Sequence, residues 1–335
     1  MAENSKIEWT KHTCNLWWGC TKVHEGCDHC YAETLDNRYN HDNTHWGNDK
    51  PRKAVKSVWN DFIKYQKAAA EAGEVHRVFV GSMMDIFEKS MPLEKEFILP
   101  QSVAENSKVI DLVRSVTGGA TLHPFKTTGE LRDFFFRCIV PLCPNLQFLL
   151  LTKRPSNINA MIPEEWKTNP PANVIFGTSI VNQETADRLI PQLYQVQGKR
   201  FLSCEPLLGP IDLSKEYSVG KGSVPMGLLM DWVICGGESG HNARPMHPDW
   251  ALALHKKCCI EGINIPFFFK QWGEWKPIAP VDFATTPMTS NERWMNINGG
   301  HGYHGDSVWL MKRVGKHEAG NLLDGKQHKN FPDAI

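Results

Sequence analysis

The chain has 335 residues, a length that suits one large α/β domain, and 41% of them are hydrophobic, as in an ordinary globular protein. Lysine plus arginine and aspartate plus glutamate each number 37, so the chain lacks the basic excess of a dedicated nucleic-acid-coating protein. No segment approaches the roughly 18 continuous apolar residues that cross a bilayer, which excludes a transmembrane helix.

The N-terminal segment, MAENSKIEWTKH, lacks the apolar centre of a signal peptide. We therefore expect a cytoplasmic protein. In that reducing compartment the ten cysteines are free thiols, available for metal or redox chemistry. Residues 6–10, KIEWT, are predicted to form the first strand.

Three cysteines follow on one short loop, GCTKVHEGCDHCY, at Cys20, Cys27 and Cys30. Three thiolates can hold an iron–sulfur cluster and leave one iron open to a cofactor, whereas electron-transfer clusters usually have four protein ligands. The alternative is a zinc knuckle that also uses Cys14, six residues upstream, although two ligand pairs separated by a longer loop are more usual for zinc.

Beyond this loop, apolar runs rich in Val, Ile, Phe and Leu alternate with segments of helical spacing, such as 183–197 and 248–259. Continuous apolar runs indicate strands covered on both faces, as in a parallel sheet. The rhythm predicts an α/β fold, an incomplete (β/α) TIM-type barrel of about six to seven parallel strands. The predicted strands after the first lie within 77–87, 147–155, 173–180, 200–208, 231–240 and 264–273.

Two regions depart from this rhythm. Residues 93–143 contain a loop with Gly118, Gly119, Pro124 and Gly129, then an amphipathic helical run, and are predicted to be an insertion. Residues 278–335 are rich in Gly and His and end in a basic stretch. We interpret residues 1–277 as the barrel and 278–335 as a C-terminal extension packed on it.

The predicted strand ends are unusually polar. In a βα barrel these ends meet at one face, where the active site lies. Hydroxyl, carboxylate and cationic groups arriving there beside a cysteine loop indicate a site for a charged, hydrogen-bonding cofactor. The polar residues are Ser82, Asp85, Thr152, Lys153, Arg154, Thr178, Ser179, Ser203, Glu205, Gly236, Gly237, Glu238, Ser239, Lys270 and Gln271.

Nearly the whole sequence resembles the phage Gp37/Gp68 family, also described as the domain of unknown function DUF5131, which is related to radical S-adenosylmethionine (AdoMet) enzymes of the spore photoproduct lyase type. The motifs that carry the resemblance are KIEWT, WWGCTKVHEGCDHCYAE, VFVGSMMDIF, LLLTKRP, GTSIVNQETADRL, FLSCEPLLGPIDL, DWVICGGESG followed by ARPM, FFFKQWGEW and KRVGKHEAGNLLDG. Cys14, Cys204 and Cys235 depart from the family pattern.

The resemblance implies a [4Fe–4S] cluster bound by Cys20, Cys27 and Cys30, with AdoMet on the fourth iron. One-electron reduction would release a 5′-deoxyadenosyl radical, the difficult chemistry belonging to the cofactor. The electron donor would be a flavodoxin or ferredoxin, in the cytoplasm of a bacterial or phage-infected host cell.

The strand ends complete this predicted site. Ser82 and Asp85 resemble an S-x-x-D segment that lies beside the cofactor in the related enzymes, and we assign them to the methionine or ribose end of AdoMet. Lys153, or Arg154 through its bidentate guanidinium, is predicted to pair with the methionine carboxylate.

Further roles are assigned around the adenosine and the substrate. Ser179 and Glu205 are predicted to bind ribose hydroxyls or substrate. Gly236 and Gly237 would let the backbone approach the adenine, and Glu238 would accept from an amine or hydroxyl. Cys204, if it points into the barrel, would donate a hydrogen atom to a product radical, and Lys153 and Glu205 are the other candidate catalytic residues.

The predicted substrate is a nucleotide, or a nucleobase in DNA or RNA that is modified or repaired. Tryptophans and basic residues could line an aromatic mouth that stacks a base. Two alternatives remain open: a zinc-stabilised nucleic-acid-binding module without catalysis, and a catalytically silent homologue that acts with a protein partner. The mouth residues are Trp17, Trp18, Trp46, Trp272, Trp275, Lys22, Arg52, Lys53, Lys153, Arg154 and Lys270.

Overall fold

The computed structural model describes residues 2–3, 5–117, 123–259, 264–281, 289–300 and 307–333. Its centre is a sheet of seven parallel strands that are neighbours in the order in which they occur along the chain. Ala2–Glu3 adds a short antiparallel strand at one edge. The parallel strands are β1 His12–Cys14, β2 His76–Val80, β3 Leu146–Thr152, β4 Val174–Ser179, β5 Lys199–Cys204, β6 Trp232–Gly236 and β7 Phe267–Gln271.

The sheet curls into a half-barrel, which confirms the predicted fold class. Side chains alternate between its two faces, as the period of two in a strand requires. The inner face packs a compact set of large apolar residues, including Trp9, Phe79, Phe201 and Trp232. The outer face packs against the helices in a much larger core. Burial on both faces explains why the strands appear in the sequence as continuous apolar runs.

The prediction for the first strand is wrong. Residues 6–10 form turns and loop, and the first parallel strand is β1. The reason is Trp9, whose ring lies inside the barrel 4.8 Å from the ring of Phe79 and 6.2 Å from that of Trp232. A segment that inserts one large side chain into the barrel interior does not continue as a regular strand. The six other predicted strands are all present, although each is shorter than its apolar run.

The main helices are α1 Tyr31–Asn40, α2 Val58–Ala72, α3 Ser107–Thr117, α4 Thr128–Phe134, α5 Gln183–Tyr194 and α6 Pro248–Cys258. Capping explains where several begin. Asn182 and Thr185 form a reciprocal capping box at the start of α5, and Thr127 and Glu130 form one at α4. Pro248 occupies the first turn of α6, where its missing N–H leaves no bond unmade. Among the described helices, none combines the length and apolar character of a bilayer-spanning segment.

Shorter helical segments connect these elements. They are Gln101–Ala104, Val140–Leu142, Ile158–Met161 and Lys316–Ala319, with 3-10 turns at Glu25–Cys27, His41–Asn43, Pro155–Asn157, Glu164–Lys167 and Met226–Leu229.

The region predicted as an insertion has secondary structure of its own. Pro92–Phe97 pairs with Phe125–Thr127, α3 lies between them, and α4 continues through a π-helical segment at Phe135–Ile139. Gly129 belongs to α4 rather than to a loop, and a Cβ there would lie 2.7 Å from the Ser90 hydroxyl oxygen. Gly118 and Gly119 lie outside the described residues.

Three further small antiparallel units lie around the barrel in the described part of the chain. Trp17–Trp18 pairs with Lys53–Ala54 beside the cysteine loop, and Glu216–Val219 pairs with Gly222–Pro225. The third is a three-stranded sheet in the C-terminal region. Its strands are Trp275–Pro280, Glu292–Asn296 and Val308–Arg313.

The last described residues join the two ends of the open sheet. On the free edge of β7, the amide of Phe269 donates to the carbonyl of His328 at 2.8 Å, and the carbonyl of Phe267 accepts from the amide of Asn330 at 3.1 Å. Lys329 forms an ion pair with Glu8, at 2.8 Å, in the N-terminal segment. Phe331 packs on Trp232, at 5.6 Å between ring centroids. The C-terminal region therefore covers an edge that would otherwise expose unpaired backbone groups.

Candidate functional site

A cavity of about 550 Å³ opens at the C-terminal ends of the strands. The cysteine loop forms one wall, and residues at or after the ends of β2, β3, β4, β5, β6 and β7 form the others. This is the face where ligand sites occur in βα barrels. Of the polar strand-end residues, those lining the cavity are Ser82, Asp85, Thr152, Lys153, Arg154, Ser179, Ser203, Glu205, Gly237, Glu238, Ser239 and Lys270.

Strand alternation decides which of the predicted residues reach the cavity. Ser179 and Ser203 face inward, whereas their neighbours Thr178 and Cys204 do not line the cavity. Likewise Lys270 lines it and Gln271 does not. The hydroxyls of Ser179 and Ser203 form no hydrogen bond within the described part of the chain, so both can serve a ligand.

All three cysteines of the loop line the cavity. Cys27 ends the 3-10 turn Glu25–Cys27, and Cys30 is the N-cap residue of α1. The first turn of α1, with Tyr31 and Ala32, also lines the cavity. Because the N-terminal end of a helix carries positive partial charge, this wall favours an anionic ligand.

Cys20 lies in a strongly charged part of this wall. Its sulfur is 3.8 Å from Arg154 Nη1. Burial, together with the carboxylates of Asp85 and Glu88, raises the pKa of the Cys20 thiol to about 12 although Arg154 opposes this. The free thiol is therefore protonated at neutral pH, and a metal ion that bound this sulfur would have to displace the proton.

Cys14 lies apart from the other three. It is fully buried in the core between the sheet and the helices and does not line the cavity. Burial, followed by the nearby Asp61 and Cys143, raises the pKa of its thiol. The zinc alternative requires Cys14 beside the other cysteines. Among the residues that the structure describes, no three His, Cys, Asp or Glu side chains are grouped to hold one metal ion, and this holds for Cys20, Cys27 and Cys30 as much as for a set that includes Cys14.

Asp85 organises the strand ends and does not offer a free acceptor. Its Oδ1 accepts from Thr152 Oγ1 at 2.7 Å and from the amide of Phe87 at 3.0 Å. Its Oδ2 accepts from Arg154 Nη1 at 2.7 Å and from the amide of Lys153 at 3.1 Å. Sequence reasoning assigned Asp85 to the cofactor. The structure instead shows four protein donors on its carboxylate.

The guanidinium of Arg154 is equally occupied. Besides Asp85 and Cys20, it donates from Nη2 to the carbonyl oxygen of Thr21 at 2.5 Å. It therefore ties the cysteine loop to the end of β3. Of the two cations predicted for a ligand carboxylate, Lys153 is the available one, because this residue lines the cavity and its ammonium has no hydrogen bond or ion pair within the described residues.

A second arginine, which sequence reasoning placed in an exposed basic mouth, is fully buried. Arg52 donates to both carboxylate oxygens of Glu88, at 3.0 and 2.8 Å, and to Thr21 Oγ1 at 3.1 Å. Its Nη1 donates to the carbonyls of His45, Gly47 and Lys50. The buried pair of Arg52 and Glu88 therefore holds the cysteine loop in place through Thr21, and its role is structural.

The other end of the loop is held by Glu238. Its carboxylate accepts three bonds from Arg244, at 2.7, 2.9 and 2.7 Å, and contacts His29 Nδ1 at 3.2 Å. Arg244 also donates to the carbonyl of Glu25 at 3.0 Å. Burial favours a raised pKa for Glu238, but the bonds from Arg244 and His29 outweigh it and lower the pKa. Glu238 is an ionised clamp on the loop rather than a free acceptor.

A protein-family model, described as "Protein of unknown function (DUF5131)", matches residues 4–109 and 128–332. The chain belongs to the DUF5131 family. No curated protein matches it. Among solved structures it is similar to spore photoproduct lyase in three forms, each match covering 92% of this chain and 70% of the other.

The three forms differ in what they contain. A double mutant with bound AdoMet and dinucleoside spore photoproduct is 11% identical, and the form complexed with dinucleoside spore photoproduct is 12% identical, each with a TM-score of 0.36. A single mutant is 11% identical with a TM-score of 0.33.

In this DUF5131 chain the two glycines at the end of β6, Gly236 and Gly237, allow close packing. Gly236 does not line the cavity, and a Cβ there would lie 3.2 Å from Glu205 Oε1. Gly237 does line it, but a Cβ there would overlap the carbonyl oxygen of Trp272. The amide of Gly237 donates to the carbonyl of Gln271 at 2.9 Å. Both glycines allow adjacent strand ends to approach each other.

Gly237→Ala tests this packing. We expect it to lower the free energy of unfolding by about 3 kcal/mol, because the added methyl meets backbone that cannot rotate away. Gly222→Ala is the control, since the nearest atom to its Cβ would be 4.0 Å away, and we expect a change within about 0.5 kcal/mol. Urea unfolding measures both. Equal losses of stability in the two variants would contradict the close approach of Gly237 to the backbone of Trp272.

Cys204 and Cys235 lie on the outer face of the DUF5131 barrel. Both are fully buried in the core between sheet and helices, and neither lines the cavity. Burial raises the pKa of each thiol. Sequence reasoning made hydrogen donation by Cys204 conditional on its pointing into the barrel. That condition is not met, because Cys204 occupies the position next to inward-facing Ser203.

Of the predicted basic, aromatic mouth, four of the six basic residues line the cavity, namely Lys22, Lys153, Arg154 and Lys270. The aromatic part of the prediction is largely wrong, because the large tryptophan side chains are buried in cores. Trp17, Trp272 and Trp275 are buried in the outer core, and only Trp46 of the five predicted tryptophans lines the cavity. Lys53 is exposed and donates to Asn40 Oδ1 at 3.1 Å. Three lining rings that the sequence analysis did not predict are those of Trp9, Tyr31 and Phe79.

Proposed function

We propose that this protein is a radical AdoMet enzyme. Cys20, Cys27 and Cys30 would hold a [4Fe–4S] cluster, and AdoMet would bind beside it in the cavity. The observation that carries the proposal is the convergence of three loop thiols with an unpaired lysine and two free hydroxyls on one cavity at the strand ends. A structural metal site has no need of such groups.

When bound and reduced by one electron, the cluster and AdoMet would supply a 5′-deoxyadenosyl radical. The chain's own residues bind and orient the cofactor. Lys153 pairs with the methionine carboxylate, and Ser82, Ser179 and Ser203 offer hydroxyls to the amino acid, ribose or substrate. Arg154 and Asp85 position Lys153 and the cysteine loop through the bonds described above.

The part of the cavity lined by the ends of β5 and β7 would receive the substrate. Glu205 forms an ion pair with Lys270 there, and both side chains are largely buried. Trp9, Phe79 and Leu151 provide an apolar base that limits the access of water. Rings with one polar edge suit such a cavity, which supports a nucleobase or nucleotide as the substrate. A flavodoxin or ferredoxin of the cytoplasm would supply the electron.

Lys153→Met tests the cofactor site. The reconstituted, reduced protein should show a cluster EPR signal that changes when AdoMet is added. We expect Lys153→Met to retain the cluster and to weaken AdoMet binding by about tenfold to a hundredfold, the usual loss when a partly buried charge pair is broken. The titration of the EPR change measures it.

Lys126→Met is the matched control, because this exposed lysine pairs with Glu96 away from the cavity. It should leave the AdoMet affinity unchanged. An unaltered affinity in Lys153→Met would show that another group binds the carboxylate. A cluster EPR signal that does not change when AdoMet is added to the wild-type protein would overturn the proposed function.

A further inference from the structure

The charges that line the cavity do not balance. Each of its three carboxylates already has a cationic partner: Asp85 has Arg154, Glu205 has Lys270 and Glu238 has Arg244. Two lining lysines, Lys153 and Lys316, have no hydrogen bond or ion pair within the residues that the structure describes. The cavity therefore presents an excess of positive charge to any ligand.

The two lysines lie at different places around the barrel. Lys153 follows β3 and lies near the cysteine loop, where the proposed cofactor would occupy it. Lys316 belongs to the C-terminal region and lies at the rim, near Lys270 of β7. Strands β4, β5 and β6 separate β3 from β7 in the sheet. One small anionic group would not be expected to satisfy both lysines.

The segment that carries Lys316 is fixed in place. The amides of Val314 and Gly315 donate to the carbonyl of Glu274, at 3.0 and 3.1 Å. At the other end, the amide of Trp272 donates to the carbonyl of Gly320 at 3.1 Å. Both ends of the short helix Lys316–Ala319 are thus bonded to the loop after β7, which holds Lys316 over the cavity mouth.

The carboxylates near Lys316 are committed elsewhere. Glu205 pairs with Lys270, Glu8 pairs with Lys329 at 2.8 Å, and Glu274 accepts from the amide of Gly240 at 3.1 Å. Partial burial, followed by the Lys270 ammonium, lowers the pKa of Lys316 despite these carboxylates. No described carboxylate forms an ion pair with the Lys316 ammonium, which is therefore open to an anionic ligand in the cavity.

We propose that Lys270, oriented by Glu205, and Lys316 form a subsite that binds an anionic group, a phosphate or carboxylate, on the substrate. The assignment of this anion to a substrate rests on the proposed function, whereas its binding does not. An ammonium has three donors, so Lys270 keeps two after bonding Glu205. The group of two lysines and one carboxylate carries a net positive charge, and the free hydroxyl of Ser203 lies on the same strand face as Glu205.

Competitive acetylation of lysines tests the subsite. The reconstituted protein is treated with a limiting amount of an acetylating N-hydroxysuccinimide ester, and each lysine is quantified by peptide mass spectrometry. Inorganic phosphate and succinate are the two probes, one for each class of anion. At a probe concentration about ten times its dissociation constant, labelling of Lys316 and Lys270 should fall about tenfold. Exposed Lys312 and Lys326 should not change.

Substitutions at Lys316 distinguish specific binding of the anion from a general effect of added salt on lysine reactivity. Lys316→Met should remove the protection of Lys270, and Lys316→Arg should preserve it, because arginine retains the charge. Protection by phosphate alone assigns a phosphate, and protection by succinate alone assigns a carboxylate. If neither phosphate nor succinate reduced the labelling of Lys316 and Lys270 relative to that of Lys312, the proposed subsite would be overturned. The assay needs no AdoMet cleavage, so a protein that protects these lysines without cleaving AdoMet would refute the proposed function alone.

Discussion

Cys27→Ala is expected to reduce the iron and sulfide of the reconstituted protein to background and to abolish its cluster absorbance. Cys27 is buried in the wall of the cavity, on the turn that precedes Cys30 and α1. A cluster held by three thiolates has no spare protein ligand, so the loss of one leaves two irons without cysteine. Iron and sulfide assays with visible absorption spectra measure the effect.

Two other cysteine variants serve as controls. Cys259→Ala removes an exposed thiol outside the cavity, and Cys14→Ala removes one that is buried in the outer core. Both should retain the cluster, although Cys14→Ala is expected to lose some stability from the cavity left in the core. Metal binding that depends on Cys14 as strongly as on Cys27 would instead favour the four-cysteine zinc site.

Arg52→Met is expected to have the largest effect on stability, lowering the free energy of unfolding by about 3–5 kcal/mol. The substitution leaves the Glu88 carboxylate buried without its bidentate partner, and it frees three backbone carbonyls and the Thr21 hydroxyl. Because Thr21 follows Cys20 directly, the cysteine loop should also loosen, and cluster retention should fall.

A double-mutant comparison isolates the ion pair. Arg52→Met with Glu88→Gln should be less destabilised than the sum of the single variants, since no uncompensated charge remains. Arg137→Met is the matched control, because its pair with Glu165 is exposed and its loss should cost less than about 1 kcal/mol. Urea unfolding measures all four. If Arg52→Met lowered the free energy of unfolding as little as Arg137→Met, the stabilising role of the buried Arg52–Glu88 pair would be contradicted.

The sequence was sufficient to predict the barrel because its information there is local. Buried parallel strands must be apolar along their whole length, so the strand runs of 147–155 and 173–180 are visible without any tertiary contact. The cysteine loop is visible for the same reason, since its three thiols lie within eleven residues. The first strand was mistaken because the burial of Trp9 inside the barrel is a tertiary contact.

The hydrogen bonds and ion pairs within the site were harder to predict from the sequence. Sequence reasoning gave Asp85, Arg154 and Glu238 to the ligand, whereas each is satisfied largely by protein groups. Those bonds join residues up to about two hundred positions apart, which no local pattern encodes. One local rule would have helped. Period-two alternation along β5 places Ser203 and Cys204 on opposite faces, and so argues against placing both at the cavity.

The role of the supporting arginines follows from burial rather than from residue type. Arg244, in the ARPM motif, is six residues after Glu238, and that spacing in a strand-end loop is the one sequence feature that could have indicated their pairing. Arg52 offers no such indication. Its partners are Glu88, Thr21 and the carbonyls of the loop before it, and only the folded chain shows that they surround one fully buried guanidinium.

The central claim is that the three-cysteine loop and its cavity support reductive cleavage of AdoMet. The most direct measurement is the formation of 5′-deoxyadenosine after anaerobic reconstitution with iron and sulfide, then reduction with dithionite in the presence of AdoMet. We expect 5′-deoxyadenosine from the wild-type protein and none from Cys27→Ala. A colourless, air-stable protein that binds zinc and forms no 5′-deoxyadenosine would contradict it.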